Sequence, residues 1–183
     1  MVVIAVSGQP ASGKTTIARM LAERLGLRFV SSGTLFRRLA EERKIPLLEF
    51  HKLAESDPSI DKYVDNMAIE EAKRGDVVIE GHLAAWILRD LADVKIYLKA
   101  DLKARAQRLA QREGKSIEEA LSEVKMREEL NRRRYLSIYG IDISDLSIFD
   151  LVLDDTYLTP EETLDVILMY VKPVLERKCK RSV

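Results

Sequence analysis

The chain has 183 residues, 46% of them hydrophobic and 33% charged, which is enough apolar sequence to bury one ordinary core. Its 30 Lys and Arg residues balance 30 Asp and Glu residues, and this zero net charge argues against binding of nucleic acid through bulk positive charge. The single cysteine, Cys179, excludes an intrachain disulfide, and the apolar start Met1–Val6 is too short for a membrane span and lacks the basic region of a signal peptide. We therefore expect one cytoplasmic domain, residues 1–183, that has no membrane partner.

Apolar runs and helix-start signals alternate from one end of the chain to the other. Short apolar runs predict five strands, at residues 2–6, 27–30, 77–79, 94–98 and 151–153. A helix is predicted over 13–25, ended by Gly26, and N-cap residues, an early proline and capping boxes mark later helix starts at Ser32, Pro46, Asp57, Asp101, Ser116 with Glu119, and Thr159 with Glu162. This alternation predicts an α/β domain whose parallel sheet is covered by helices on both faces.

The segment after the first predicted strand matches every fixed position of the phosphate-binding P-loop pattern. Its glycines let the backbone wrap closely around phosphate oxygens, and the following helix adds positive potential at its N-terminus. Lys14 should reach the β- and γ-phosphates, and the Thr15 hydroxyl should ligate Mg²⁺. The alternative is a chance turn of small residues before a helix. The motif predicts an ATP site made of Gly8, Gln9, Pro10, Ala11, Ser12, Gly13, Lys14, Thr15 and Thr16.

Glu80 follows the apolar run Val77–Ile79 and so lies at the carboxyl end of a predicted core strand. A carboxylate in that position can orient Mg²⁺ through water, which makes Glu80 a second candidate for the metal site. The alternative is a strand-end glutamate that pairs with a nearby cation.

Arginines are concentrated between residues 99 and 139, where 11 Lys and Arg residues stand against 7 Asp and Glu residues. Arg105, Arg108 and Arg112 share one helical face, and Arg127 and Arg134 are seven residues apart. Guanidinium groups can neutralise the negative charge that phosphoryl transfer spreads over the transferring group. The alternative is a solvated helix face laced with Glu at i±4 spacing.

Two further segments resemble a known family. Ser31-Ser32-Gly33-Thr34-Leu35-Phe36-Arg37 is similar to the acceptor-binding element of nucleoside monophosphate kinases, whose arginine grips the acceptor phosphate. Arg127-Glu128-Glu129-Leu130-Asn131-Arg132-Arg133-Arg134 is similar to the lid of bacterial cytidylate kinases, with Asn131 where a carboxylate is common. With Tyr139-Gly140-Ile141-Asp142 and residues 149–162, the chain resembles archaeal cytidylate kinases over essentially its whole length.

The resemblance implies a P-loop NTPase-like, three-layer α/β/α fold with a five-stranded parallel sheet, an acceptor segment around 34–74 and a lid segment around 113–140. It implies a monomer that uses ATP and Mg²⁺ to phosphorylate CMP, with dCMP as a second substrate. The catalytic residues would be Lys14, Arg127 and Arg134. The acceptor would be bound by Ser32, Gly33, Arg37, Asp61, His82, Arg127, Asn131 and Arg134.

Two parts of that expectation are open. His82 stands where the family usually has an arginine; it can donate to a phosphate, or it can be a capping or packing residue. The residues that would recognise the cytosine base are not determined; the candidates are Asp57, Asp61, Tyr63 and Asp65. Two alternative hypotheses remain. The chain could be a P-loop kinase that acts on AMP, UMP, shikimate or dephospho-coenzyme A, or an ATP-binding module without catalytic activity.

Overall fold

The structure is a computed structural model that describes residues 1–181, apart from the side chains of residues 47, 48, 51, 52, 55 and 179–181. Within that range the predicted five strands are present: β1 (Val3–Gly8), β2 (Arg28–Ser31), β3 (Val77–Glu80), β4 (Val94–Lys99) and β5 (Leu151–Asp154). The helices are α1 (Lys14–Leu25), α2 (Ser32–Glu42), α3 (Leu47–Ser56), α4 (Pro58–Lys73), α5 (Ala84–Ile87), α6 (Leu102–Glu113), α7 (Ile117–Tyr139) and α8 (Pro160–Arg181).

All neighbouring strands pair in parallel, in the order β2-β3-β1-β4-β5. In this register Gly8 lies beside Leu98, and Glu80 lies between Val6 and Ser31. The carboxyl ends of the three strands β1, β2 and β3 therefore meet at one edge of the sheet. In open α/β sheets ligands bind at that edge.

Helices cover both faces of the sheet, because the strands are apolar on both sides. On one face α1 and α8 bury Ile17, Leu21, Leu164 and Ile167 against the sheet. On the other face α4 and α5 bury Ala68, Ala72, Ala84 and Ala85. The predicted α/β/α architecture is thus confirmed.

Two smaller cores lie away from the sheet. Helices α2, α3 and α4 pack around Phe36, Phe50 and Ile60. Helices α6 and α7 pack around Leu109 and Val124. The first group falls in the segment around 34–74 that was expected to bind the acceptor, and α7 falls in the segment around 113–140 that was expected to form the lid.

Most predicted helix starts are confirmed, and two were wrong by one residue. Ser31, not Ser32, is the N-cap of α2, because its Oγ accepts from the Thr34 amide at 3.3 Å. Pro46 occupies the N-cap of α3 and not its first helical position. The short helix α5 was not predicted. Throughout the described part of the chain, each helix lacks the length or the hydropathy that a membrane span requires.

Candidate active site

The phosphate-binding loop leaves the central strand β1 at Gly8 and enters α1 at Lys14. Gly8 is required by packing, since a Cβ there would lie 2.4 Å from the Leu98 carbonyl oxygen of the neighbouring strand. Gly13 has a φ of 84° and is the N-cap of α1, a left-handed conformation that glycine adopts without strain. The loop therefore turns tightly into a helix N-terminus, where backbone amides and the helix dipole favour an anion.

Two arginines of α6 hold this loop. Arg105, which is 3% exposed, donates from Nη1 to the Pro10 carbonyl at 3.3 Å. Arg108 donates from Nη1 to the Ser12 carbonyl at 3.1 Å. Their guanidinium groups are thus bonded to carbonyl oxygens of the loop itself. Arg112, the third arginine of that face, is exposed and bonds to Glu113.

Lys14 is buried at the mouth of the loop, with Nζ 3.9 Å from Oε1 of Glu80. Burial lowers the pKa of Lys14, and the charge of Glu80 partly opposes that shift. Oε2 of Glu80 and Oγ of Ser12 are buried and make no hydrogen bond within the described protein. A desolvated cation and orphaned oxygens at a P-loop mark a site that is completed by a polar ligand. Thr15 and Thr16 are exposed in the first turn of α1.

His82 lies against the start of the loop, with Nδ1 3.2 Å from the Gly8 carbonyl oxygen. Burial lowers the pKa of His82 well below its usual value, and the charges of Lys14 and Arg127 lower it further. The imidazole is therefore neutral at neutral pH. Because a carbonyl can only accept, Nδ1 carries the proton and Nε2 is left as an acceptor. His82 thus supplies no permanent charge at this position.

The segment 31–37, expected to bind the acceptor, begins at the end of β2, next to the end of β3. Ser32 packs closely on Gly81, since a Cβ on that glycine would lie 2.6 Å from the serine Oγ. Gly33 lies in the same first turn of α2, and the exposed Arg37 bonds to Thr34 Oγ1 at 3.1 Å. An exposed guanidinium one turn into α2 is accessible to a phosphate.

Helix α7, which was expected to form the lid, contacts α4 through two polar pairs. Arg134 donates from Nη2 to Oδ1 of Asp61 at 3.0 Å, and Tyr139 donates to the Asp65 carboxylate. Burial raises the pKa of Asp61, and it raises that of Asp65 to about 6. Oδ2 of Asp61 and Nε of Arg134 are buried without a hydrogen-bond partner in the described part of the protein. The two segments thus meet through polar groups whose bonding capacity is not filled.

Comparison with known proteins identifies the family. The sequence model of the cytidylate kinase-like family matches residues 3–157. The chain belongs to the cytidylate kinase-like family. It is 62% identical to the cytidylate kinase of Pyrobaculum aerophilum over 183 residues, which are all of both chains. It is 46% identical to the cytidylate kinase of Methanopyrus kandleri, across 97% of this chain and 96% of the relative. The predicted family is thereby confirmed.

Solved structures share the fold at low sequence identity. Shikimate kinase from Bacteroides thetaiotaomicron aligns over 93% of this cytidylate kinase-like chain and 98% of its own, with a TM-score of 0.63 and 15% identity. A gluconokinase from Sinorhizobium meliloti covers 100% of this chain and 98% of its own, with a TM-score of 0.64 and 18% identity. These likenesses confirm the predicted P-loop architecture and say nothing further about the acceptor.

The predicted lid residues lie on the side of α7 near the loop. Nη1 of Arg127 lies 3.5 Å from Oε1 of Glu123 on the same helix. The charge of Arg127 also lowers the pKa of Lys14 and that of His82. Asn131 lines a small cavity beside the loop, together with Gly8, Gln9, Pro10, His82, Trp86, Tyr97, Glu128, Tyr135 and Ile143. Of the remaining candidates for base recognition, Asp57 caps α4 and Tyr63 is 48% exposed.

Sequence reasoning missed Glu128 and Asp155. Glu128 accepts from Gln9 and from Arg105, and Asp155 accepts from Arg108. Glu128 lies inside a helix rich in both signs of charge, where its neighbours in sequence are also Glu and Arg. Nothing local marks it as different, because its partners lie 119 and 23 residues away.

Proposed function

We propose that this protein transfers the γ-phosphoryl group of ATP to CMP, giving ADP and CDP, and that dCMP is a second acceptor. The observation that carries the proposal is Lys14, buried at the phosphate loop beside Glu80, whose Oε2 makes no hydrogen bond within the described residues. Full-length identity of 62% to a protein named cytidylate kinase supports CMP as the acceptor. The reaction belongs to pyrimidine nucleotide metabolism.

Positioning and charge neutralisation account for the chemistry. The loop and the N-terminus of α1 bind the ATP phosphates through backbone amides, and the Lys14 ammonium reaches the β- and γ-phosphates. Arg127 and Arg134 neutralise charge that develops on the transferring group. A CMP phosphate oxygen attacks the γ-phosphorus in line as the bond to the ADP oxygen breaks, so a covalent enzyme intermediate is not needed.

The residues at the loop fit Mg²⁺. The described residues contain no cluster of three or more metal-ligating side chains, and Mg²⁺ in kinases is bound by few protein ligands together with substrate phosphates and water. Thr15 would ligate the ion through its hydroxyl, and the unpartnered Oε2 of Glu80 would orient its water shell. When bound, Mg²⁺ neutralises charge on the β- and γ-phosphates.

On the acceptor side, Arg37 grips the CMP phosphate, with Ser32 and Gly33 at the same helix N-terminus. Asp61, Asn131 and His82 line the rest of the acceptor site; His82 does so as a neutral group through Nε2. We assign residues 34–74 to acceptor binding and 113–140 to the lid. Closure of the lid excludes water, which otherwise competes as an acceptor. We propose that the enzyme acts as a monomer in the cytoplasm.

The test is ADP formation from ATP and Mg²⁺ with CMP, dCMP, UMP, AMP or no acceptor. CMP should stimulate ADP formation most, and Lys14→Ala should abolish the stimulation. If another acceptor stimulates ADP formation most, the proposal of a phosphotransferase stands and the proposal of CMP as its substrate is wrong. Equal rates in all reactions, including the one without acceptor, would favour an ATP-binding module and overturn the proposal.

A further inference from the structure

Glu128 connects the lid helix to the phosphate loop. It follows Arg127 on α7, and each of its carboxylate oxygens has its own partner. Oε1 accepts from Nε2 of Gln9 at 3.2 Å, and Oε2 accepts from Nη2 of Arg105 at 3.3 Å. One partner lies in the phosphate loop and the other lies on α6. The carboxylate therefore joins three parts of the chain.

Both partners of Glu128 are themselves fixed to the backbone around the loop. Oε1 of Gln9 accepts from the Ala100 amide at 3.1 Å. Arg105 donates from Nε to the Ala100 carbonyl at 3.0 Å and from Nη1 to the Pro10 carbonyl at 3.3 Å. Since the Arg105 side chain is 4% exposed, this guanidinium has little room to move. A displacement of Glu128 is thus transmitted directly to the loop.

The same helix carries Arg127, whose charge acts on Lys14 at the mouth of the loop. Residues 127 and 128 are consecutive in one helix of 23 residues, so contacts that hold Glu128 also bear on where Arg127 lies. We propose that Glu128 is a positioning residue for phosphoryl transfer: its bonds to Gln9 and Arg105 keep the lid helix aligned with the phosphate loop, so that Arg127 reaches the transferring phosphate. The inference rests on the proposed kinase activity.

Glu129 provides a matched control. It is the next residue on the same helix and has the same charge and length, but it bonds to Arg132 and Arg133 at the surface. Replacement of either glutamate by glutamine removes one charge from α7. Only the change at Glu128 alters contacts with the phosphate loop.

The first experiment compares kcat and KM for ATP and CMP in wild type, Glu128→Gln, Glu129→Gln, Arg127→Ala and the double variant Arg127→Ala/Glu128→Gln. Glu128→Gln should lower kcat about 10- to 100-fold, because a displacement of about 1 Å can cost that much, with each KM within about threefold of wild type. The kcat and KM values of Glu129→Gln should stay within about twofold of those of the wild type. In the Arg127→Ala background, Glu128→Gln should lower kcat at least about fivefold less than it does in the wild type, since most of its effect acts through the missing arginine.

Multiplicative losses in the double variant would overturn the proposal, and so would equal losses in the two glutamine variants. A loss confined to the KM for ATP would do the same, because it would make Glu128 part of ATP binding and not a determinant of the position of Arg127.

A second measurement does not depend on an acceptor. Amide hydrogen exchange of residues 9–13 in the nucleotide-free protein should be at least about threefold faster in Glu128→Gln than in Glu129→Gln, because only the former loosens the loop. If no acceptor stimulates ADP formation by the wild-type protein, the proposed function is wrong. The exchange data would then still show whether Glu128 holds the phosphate loop in place. Equal exchange in the two variants would overturn that role.

Discussion

Arg108→Ala should destabilise the protein because it leaves a buried carboxylate without its ion-pair partner. Nη1 of Arg108 lies 2.7 Å from Oδ1 of Asp155, and Nη2 donates to the Asp155 carbonyl at 2.8 Å. Asp155 is 3% exposed, and burial raises its pKa while the charge of Arg108 opposes that shift. Loss of the guanidinium also removes the donor to the Ser12 carbonyl in the phosphate loop.

The magnitude follows from the burial of the two partners. Removing one member of a buried ion pair costs about 3–5 kcal/mol, since the other charge stays buried and uncompensated. The Arg108 side chain is 32% exposed, so water partly solvates the pair and the lower end applies. We expect a loss of about 3 kcal/mol at neutral pH. Asp155→Asn in the same background removes the stranded charge and should restore about 1–2 kcal/mol.

The assay is urea unfolding of the nucleotide-free protein for the wild type, both single variants and the double variant. Arg112→Ala is the matched control, because that arginine lies one turn further along α6 and is exposed; it should change the free energy of unfolding by less than about 0.5 kcal/mol. The deficit of Arg108→Ala should shrink as the pH falls, because burial raises the pKa of Asp155 and the stranded carboxylate then takes up a proton.

Two results would refute the reasoning. One is an Arg108→Ala variant as stable as Arg112→Ala. The other is a double variant no more stable than Arg108→Ala at neutral pH, which would mean that the stranded charge is not the source of the loss.

Three further outcomes follow from single positions. Arg37→Ala should raise the KM for CMP at least about tenfold with little change in the KM for ATP, because it removes a charge-assisted contact with the acceptor phosphate. Equal changes in the two KM values would show that Arg37 does not belong to the acceptor site. Gly8→Ala should lower the free energy of unfolding by at least about 2 kcal/mol in urea titrations, because its Cβ would lie 2.4 Å from the Leu98 carbonyl oxygen; wild-type stability would contradict this. Burial raises the pKa of Asp65 from 3.8 to about 6, so the folded protein holds that proton more tightly than the unfolded chain does. Stability should therefore fall as the pH rises from about 4 to about 6, and Asp65→Asn should flatten that slope in denaturant titrations; an unchanged slope would assign it to other groups.

Features encoded in short stretches were predicted well from the sequence. The P-loop is defined by eight consecutive residues, and its backbone conformation follows from glycines within that stretch. Continuous apolar runs marked the strands β1, β3 and β4 because strands buried on both faces contain few polar residues. The capping box of Ser116 and Glu119 was predictable for the same reason, since its two members are three residues apart and bond to each other.

Small errors arose where a distant strand decides a local boundary. Ser31 and Ser32 are equally good N-cap residues by type. Pairing of β2 with β3 extends the strand to Ser31, opposite Glu80, so that Ser31 keeps an extended backbone and becomes the cap. Sequence alone does not contain that register.

By itself the sequence determined the fold class, the phosphate loop and the family, because each is carried by local spacing or by similarity along the chain. Only the tertiary structure decided what the arginines do. Arg105 and Arg108 share a helical face with Arg112, yet two of them are tied to loop carbonyls 95 and 96 residues away while the third stays in solvent. The same holds for Glu128, whose bond to Gln9 spans 119 residues. Hydrogen bonds over such separations depend on how whole helices pack on the sheet, and side-chain type and spacing do not specify that packing.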